Sequence, residues 1–331
     1  MRRVRTARPT TDVAATAGSR LPARRAAQSG RFGPGTACDT AFRIIARRHL
    51  GALLAQHDGT CRGDPEALHQ VRITLTHLRT AIRFFSPMVD DAVRPEVWTE
   101  LKWLNSQLGL VRDLDVAIER VVAETGDELA VIAELRYWDD KRAESQRLLA
   151  RALRSARYRR LVEQTSNWIE SGPWSTRRSK EAISLRRCPL ADHAAARLAE
   201  WETTLLKKSR KLSRLDVEKR HRLRLLNKRL TYAIELLQDM FTGKSLARQT
   251  LKLKLLRKAQ RSLGQLNDDA RGQALARALD GAGPKAARRF EDRKREKRLL
   301  KAAIAAYAKL SRFKPFRAKD FAPIPETDDQ P

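Results

Sequence analysis

Two rows of basic side chains are the residues of this sequence best suited to chemistry. In the more basic row, His221, Arg224, Lys228, Thr231 and Glu235 follow one another at spacings of three and four residues. On an α-helix this spacing places all five side chains in one row. Arg can donate two parallel hydrogen bonds to one phosphate, and Lys adds a compact positive charge. The row therefore predicts a helix face that binds phosphate.

The same row occurs once more, 152 residues earlier in the chain. There His69, Arg72, Thr76, Arg79 and Arg83 repeat the spacing. A constant offset that joins residues of similar chemistry is typical of an internal duplication. From its first to its last residue such a row is about 21 Å long on a helix, which suits an extended polyanion.

An apolar stripe runs beside each row. Its residues recur at helical spacing, so each helix is predicted to have one buried side and one cationic side. The stripes consist of Val71, Leu78, Ile82 and Phe85 in the first copy and of Leu223, Leu226, Leu230, Ile234 and Leu237 in the second.

The elements that must position these rows are all predicted to be helices. From Cys38 onward the sequence lacks the period-two alternation of β-strands, so we predict an all-α fold. Asp64 and Pro65 are typical of a helix start. Gly109 and Gly264 are predicted to end helices as left-handed C-caps.

Two aspartates, Asp113 and Asp268, follow these glycines at equivalent positions. We interpret them as helix N-caps or as ion-pair partners that orient a neighbouring Arg. A metal-dependent phosphatase, in which both carboxylates hold Mg²⁺ against substrate oxygens, is the alternative. The sequence shows no nucleophile and base at suggestive spacing, so we predict no catalytic residue, no metal site and no cofactor.

The domain organisation follows from the repeat and from composition. We predict a duplicated unit with disordered tails, and the Arg-rich composition of the first tail also resembles an organelle transit peptide. The predicted segments are the basic tail at 1–37, the first half at 38–174, a linker at 175–188, the second half at 189–316 and a tail at 317–331.

Charge restricts the function further. The formal net charge is +29 and the sequence pI is about 11.0, which implies a polyanionic partner. Apolar runs are interrupted by charge before the roughly 18 to 20 residues of a membrane-spanning helix, so no membrane is expected. The cysteines Cys38, Cys61 and Cys188 are odd in number and lack metal-ligand spacing, which favours a reducing compartment such as the cytoplasm.

Several segments together resemble the CHAD domain, an α-helical family whose two halves each contain a histidine-led basic helix followed by an LG…D turn. The resemblance covers about residues 38–316. The segments are HQVR…LR…IRFF at 69–85, LGLVRDLDV at 108–116, RYRRLVEQTSNWIESGPW at 157–174, HRLR…NKRLTYAIELL at 221–237 and LGQLNDD at 263–269.

The resemblance implies two four-helix bundles related by a pseudo-twofold axis, with the basic helices lining a shared positive surface that binds inorganic polyphosphate. It also implies a granule-associated protein or one that assists a polyphosphate-metabolising enzyme. Carried over residue by residue, the expected binding residues are His69, Arg72, Arg79, His221, Arg224, Lys228 and Arg229, followed by Arg83, Lys102 and Arg257.

The chain departs from the family pattern at Thr76, His77 and Thr231, where basic residues are usual. These changes are expected to alter affinity or binding register. A general nucleic-acid-binding protein is the alternative function, and it would require aromatic or amide groups near the basic face. The six tryptophans are instead predicted to pack in the core.

Overall fold

The computed structural model describes residues 32–124, 129–278 and 292–321. Within these ranges the chain forms helices and no strands, which confirms the all-α prediction. None of the described helices is both long and apolar enough to cross a membrane. The helices are α1 (Cys38–Ala55), α2 (His57–Arg62), α3 (Pro65–Phe84), α4 (Ser86–Val89), α5 (Arg94–Glu124), α6 (Leu129–Arg154), α7 (Ala156–Ser171), α8 (Lys180–Arg187), α9 (Leu190–Ser209), α10 (Val217–Leu236), α11 (Gly243–Ala278) and α12 (Arg293–Leu310).

The two basic helices, α3 and α10, agree in length and position. Each has 20 residues, and both ends differ by the same 152 positions that relate the two rows. The residues that precede α1 and α9, Ala37 and Pro189, have the same offset and form a β-bridge with each other. These agreements are compatible with the predicted duplication.

Both basic helices begin with an aspartate cap. The Asp64 carboxylate accepts hydrogen bonds from the backbone N–H groups of Glu66 and Ala67, and Asp216 caps α10 in the same way through the N–H of Lys219. Such caps satisfy backbone donors that the first turn leaves unpaired. The predicted apolar stripes are buried, except that Leu226 is only partly buried.

The predicted helix ends at Gly109 and Gly264 are wrong. Helix α5 continues through Gly109, and α11 continues through Gly264, so neither glycine is a C-cap and no turn follows it. A glycine within a helix costs only about 1 kcal/mol relative to alanine. The burial of Leu104, Leu108 and Val111 along α5 favours the continuous helix.

The folded part also differs from the predicted segment boundaries. Phe32 is buried although it belongs to the predicted tail, and Phe321 is buried against Phe241 at the other end. Within the predicted linker, residues 180–187 form α8. Residues 1–31 and 322–331, for which disorder is predicted, lie outside the described residues.

Apolar residues at helical spacing also predict a last helix at about 284–313. Within the described residues it runs from Arg293 to Leu310, and the beginning of the predicted span, residues 284–291, lies outside them.

The packing brings the two halves together through their equivalent helices. Helix α3 packs on α1 and α5, whereas α10 packs on α9 and α11. Helices α3 and α10 also contact each other, as do α5 and α11. The two basic helices are therefore neighbours at the contact between the halves, although their rows are 152 residues apart in sequence.

Candidate anion-binding site

Four cations from the two halves meet where α3 and α10 pack. We call Arg72, Arg79, Arg224 and Lys228 the central cluster; all four are half-buried. The pKa of Lys228 is lowered to about 8, chiefly by burial and then by the positive charges of Arg224, Arg72 and Arg79, in that order of effect. Repulsion of this kind acts only between charges that lie close together.

The arginines at the start of the cluster lie over the helix glycines. Arg72 donates a hydrogen bond from Nη1 to the Leu108 carbonyl at 2.9 Å and passes over Gly109. In the second half, Arg224 passes over Gly264 in the same way, and a Cβ at either glycine would lie 4.0 Å from the guanidinium. The glycines thus provide a smooth helix surface beneath each arginine.

A second group of cations lies beside the central cluster. Arg83 and Arg229 are close enough for the charge of Arg83 to lower the pKa of Arg229, which falls to about 10 chiefly through burial. The guanidinium of Arg83 lies 4.5 Å from the ring centre of Trp98, and that of Arg229 lies 5.3 Å from the ring centre of Trp201. Arg197 is also 5.3 Å from the Trp201 ring.

Nearby carboxylates offset these cations only in part. Burial lowers the pKa values of Arg72, Arg224 and Lys228, and the negative charges of Asp113 and Asp268 oppose this effect without outweighing it. Among the described residues, no carboxylate forms an ion pair with any member of the central cluster, nor with Arg83 or Arg229. The Nε groups of Arg79 and Arg224 are buried and lack a hydrogen-bond partner within the same part of the chain. Because unpaired buried donors and repelling charges both cost free energy, a bound anion would stabilise the arrangement.

For four predicted residues, no contact among the described residues joins the side chain to this concentration of charge. His69 and Lys102 are exposed, and no described contact links either to the central cluster. His221 is hydrogen-bonded through Nδ1 to Oδ1 of Asn267. Arg257 donates to the carboxylate of Glu235 at 2.8 Å, so its charge is neutralised within the protein.

The other side of the α3–α10 contact has a carboxylate that is paired within the protein. At the offset of 152 residues, Glu235 is equivalent to Arg83, and His77 is equivalent to Arg229. Here the Glu235 carboxylate contacts His77 Nε2 at 3.4 Å and is paired with Arg257. Burial opposes ionisation of Glu235, but the hydrogen bonds from His77 and Arg257 outweigh it and lower the pKa of the carboxyl. The two sides of the α3–α10 contact therefore differ in charge.

The two threonines that replace usual basic residues are bonded to their own helices. The Thr76 hydroxyl donates to the Arg72 carbonyl at 2.7 Å, and the Thr231 hydroxyl donates to the Asn227 carbonyl at 2.9 Å. Thr231 is also buried. Both hydroxyls are satisfied locally, and neither adds a charge to the central cluster.

The aspartates Asp113 and Asp268 lie within helices and are not N-caps. Asp113 is ion-paired with Arg271 at 2.7 Å, which agrees with the alternative that it orients an arginine. Within the described ranges, no group of three or more His, Cys, Asp or Glu side chains is placed to hold a metal ion.

Sequence reasoning missed three arginines near these clusters: Arg94, Arg197 and Arg271. Burial lowers the pKa values of Arg72 and Arg224, and the positive charge of Arg271 also lowers both. A signal for the other two was present, since Arg94 and Trp98 are four residues apart, as are Arg197 and Trp201. Residues at this spacing share a helix face.

The tryptophans are mainly buried, as predicted. Trp138, Trp168, Trp174 and Trp201 are at most 8% exposed, whereas Trp98 and Trp103 are partly buried at the edge of the core. Arginine side chains lie over both of the partly buried rings.

Comparison with known proteins identifies the architecture. The chain is similar to the crystal structure of the CHAD domain from the plant Ricinus communis, with a TM-score of 0.69 and 24% sequence identity over 88% of this chain and 97% of that one. No curated protein sequence matches the chain. The family model of the CHAD domain matches residues 44–277, which is more than half of the chain. With its helices, its basic rows and this match, the chain belongs to the CHAD domain family.

Proposed function

We propose that this protein binds inorganic polyphosphate along the contact between α3 and α10. The observation that carries the proposal is the meeting of Arg72, Arg79, Arg224 and Lys228 from both halves without carboxylate partners in the described part of the chain. A linear polyanion that crosses this contact would relieve the repulsion among all four cations at once. Membership of the CHAD family supports the same ligand.

The surroundings of the cations favour a polymer without bases over a nucleic acid. Proteins that bind single strands stack successive bases on aromatic rings. The rings of Trp98 and Trp201 beside these clusters are already covered by guanidinium groups. A third ring, that of Tyr232, has the Lys228 ammonium group 5.4 Å from its centre. Phosphate oxygens need only the N–H donors and the positive charge that the clusters offer.

The experiment is calorimetric titration of the full chain with long-chain polyphosphate at physiological salt. We expect the double variant Arg79→Gln, Lys228→Gln to bind at least tenfold more weakly, because each change removes a charge-assisted contact. The matched control is Lys207→Gln, Lys208→Gln, which removes two exposed charges near the end of α9. The control should bind within twofold of the unchanged protein.

Duplex DNA at equal phosphate concentration serves as the competitor. Polyphosphate should stay bound in its presence. Displacement by DNA, or equal weakening by the two double variants, would instead indicate general attraction to the net charge of +29.

As part of the same proposal, the protein acts without catalysis in the cytoplasm, on polyphosphate granules or beside a polyphosphate-metabolising enzyme. The carboxylate of Asp113, which a phosphatase would need, is paired with Arg271. The pure protein with Mg²⁺ should therefore release no phosphate from long chains. Sedimentation with polyphosphate granules from a cell lysate, lost in the Arg79→Gln, Lys228→Gln variant, tests the localisation.

A further inference from the structure

A cavity of about 480 Å³ lies beside the central cluster, where α3 ends and α5 begins, with α9 and α10 forming its other walls. Its lining includes four arginines and two tryptophans, and we call it the arginine–tryptophan pocket. These residues are Arg83, Arg94, Arg197, Arg229, Trp98 and Trp201. The volume is that of a small-molecule site, so the pocket suits a compact group and not a length of polymer.

The tryptophans hold the arginines at the pocket wall. Trp98 has the guanidinium groups of Arg79 and Arg83 at 4.9 and 4.5 Å from its ring centre, and Trp201 has those of Arg197 and Arg229. A guanidinium that lies over an aromatic ring is restrained by a cation–π interaction. The N–H groups of Arg197 already donate to the carbonyls of Phe84 and Arg83 and to Glu200. The donors offered to an anion are therefore mainly those of Arg83 and Arg229, which donate to no group among the described residues.

The pocket carries surplus positive charge. Arg94 is paired with Asp90 at 2.7 Å, and Arg197 is paired with Glu200 at 2.6 Å; both carboxylates are more than half exposed. In contrast, Arg83 and Arg229 have no carboxylate partner among the described residues. Burial and then the charge of Arg94 lower the pKa of Arg83. Burial and then the charge of Arg83 lower the pKa of Arg229. The four arginines and two carboxylates leave a formal charge of about +2.

The equivalent place in the other half shows what kind of group completes such a site. There Glu235 replaces Arg83, and its carboxylate is held between His77 and Arg257. Trp201 is replaced by His49, and Trp98, at the offset of 155 that relates the helix glycines, is replaced by Leu253. The protein thus provides its own anion on one side of the pseudo-symmetric contact and provides none on the other.

The pocket is continuous with the central cluster through one residue. Arg79 lies over Trp98 in the pocket wall and also lowers the pKa of Lys228 in the central cluster. An extended anion bound along α3 would therefore pass from the cluster into the pocket within about one helical turn, since Arg79 and Arg83 are four residues apart.

From these relationships we propose that the arginine–tryptophan pocket binds the terminal phosphate of a polyphosphate chain whose internal phosphates lie along the central cluster. The inference rests on the proposed function. A terminal phosphate has a second ionisation with a pKa of about 6 and so carries nearly two negative charges at pH 7, as a phosphate monoester does. An internal phosphate carries one. A compact pocket with a charge of about +2 matches the terminal group.

The test compares linear tripolyphosphate with cyclic trimetaphosphate, which has the same number of phosphates but no terminal group. Affinities are measured by calorimetry on the full chain and on three variants. Arg94→Gln removes a pocket cation, and Arg83→Glu places in the pocket the residue that the other half uses. Lys207→Gln, Lys208→Gln is the control for loss of charge. Arg83→Glu also removes the repulsion with Arg229, so its thermal unfolding should show a folded protein that is no less stable.

We expect the unchanged protein to bind the linear anion at least tenfold more tightly than the cyclic one. Because the linear anion also carries more charge, the decisive quantity is the ratio of the two affinities in each variant. The ratio should fall about tenfold in Arg94→Gln and in Arg83→Glu, and should stay within twofold in the control. A ratio that is unchanged in both pocket variants, or near one in the unchanged protein, would overturn the proposal.

Long-chain polyphosphate separates this failure from a failure of the proposed function. One outcome is that long chains bind and that this binding depends on Arg79 and Lys228, while the ratio of linear to cyclic affinity is the same in the pocket variants as in the unchanged protein. In that case only the terminal-phosphate proposal is wrong. If long chains do not bind the unchanged protein, both proposals are wrong.

Discussion

Arg271 is ion-paired with Asp113 across the contact between α11 and α5, with its Nη1 at 2.7 and 2.8 Å from the two carboxylate oxygens. The pair joins the two halves of the chain beside the central cluster. The Asp113 carboxylate also lowers the net positive charge of this region. Burial lowers the pKa values of Arg72 and Arg224, and the negative charge of Asp113 opposes that effect on both. The ion pair therefore opposes polyanion binding while it holds the halves together.

We predict that Asp113→Asn increases affinity for polyphosphate about two- to fivefold. The change frees Arg271 and removes a negative charge near Arg72. Calorimetry at two salt concentrations checks it, with Glu119→Gln as the control for loss of an exposed carboxylate on the same helix. A phosphatase that used Asp113 would lose activity in this variant, and weaker binding would contradict our assignment.

The salt dependence of binding counts the phosphates that the protein neutralises. Replacing Arg72, Arg224 and Lys228 together with Gln should flatten the log–log slope of affinity against salt by about two to three units, because each neutralised phosphate contributes about 0.7 to 0.9. Calorimetric titrations at several salt concentrations measure the slope. If the slope does not change, the contacts lie elsewhere, for instance on residues 1–31.

Binding near pH 8 should be coupled to proton uptake by Lys228. Its pKa is lowered to about 8, chiefly by burial and then by Arg224, so about half of the free protein carries an uncharged amine at that pH. A bound polyanion raises the pKa again, and affinity should therefore fall as pH rises from 7 to 10. Calorimetry in buffers of different ionisation enthalpy measures the uptake.

The variant Lys228→Arg provides the control for this coupling. Arginine keeps its charge throughout this pH range, so the variant should bind with much less proton uptake at pH 8. Equal uptake in both proteins would assign the proton to another group.

The stability of the second half depends on a buried ion pair. Lys252 is fully buried, and its ammonium group lies 2.8 Å from the Glu202 carboxylate and donates to the Lys314 carbonyl. Removal of one partner leaves an unpaired buried charge, so Lys252→Ala should lower the free energy of unfolding by about 3 to 5 kcal/mol. Urea unfolding measures the loss, and Lys254→Ala, at an exposed position on the same helix, should cost less than about 0.5 kcal/mol. A loss for Lys252→Ala as small as that of the control would contradict this role.

Local pattern was sufficient to predict the fold class, the two basic helices and the sides on which they are buried. The reason is that helix periodicity, aspartate caps and apolar stripes are properties of residues within a few turns of one another, as at Asp64 and Val71. The same reasoning failed at Gly109 and Gly264, because there the burial of distant side chains outweighs a weak local preference for a helix end.

By itself, the sequence determined that this is a strongly basic helical chain with two histidine-led rows at a constant offset of 152 residues. Only the tertiary structure decided which cations act together. It brings Arg83 to Arg229, but it neutralises Arg257 with Glu235, and residues as far apart in sequence as His77 and Glu235 come into contact. Electrostatic interactions depend on distance and burial in three dimensions, so residues equivalent in the repeat can have opposite roles in the folded protein.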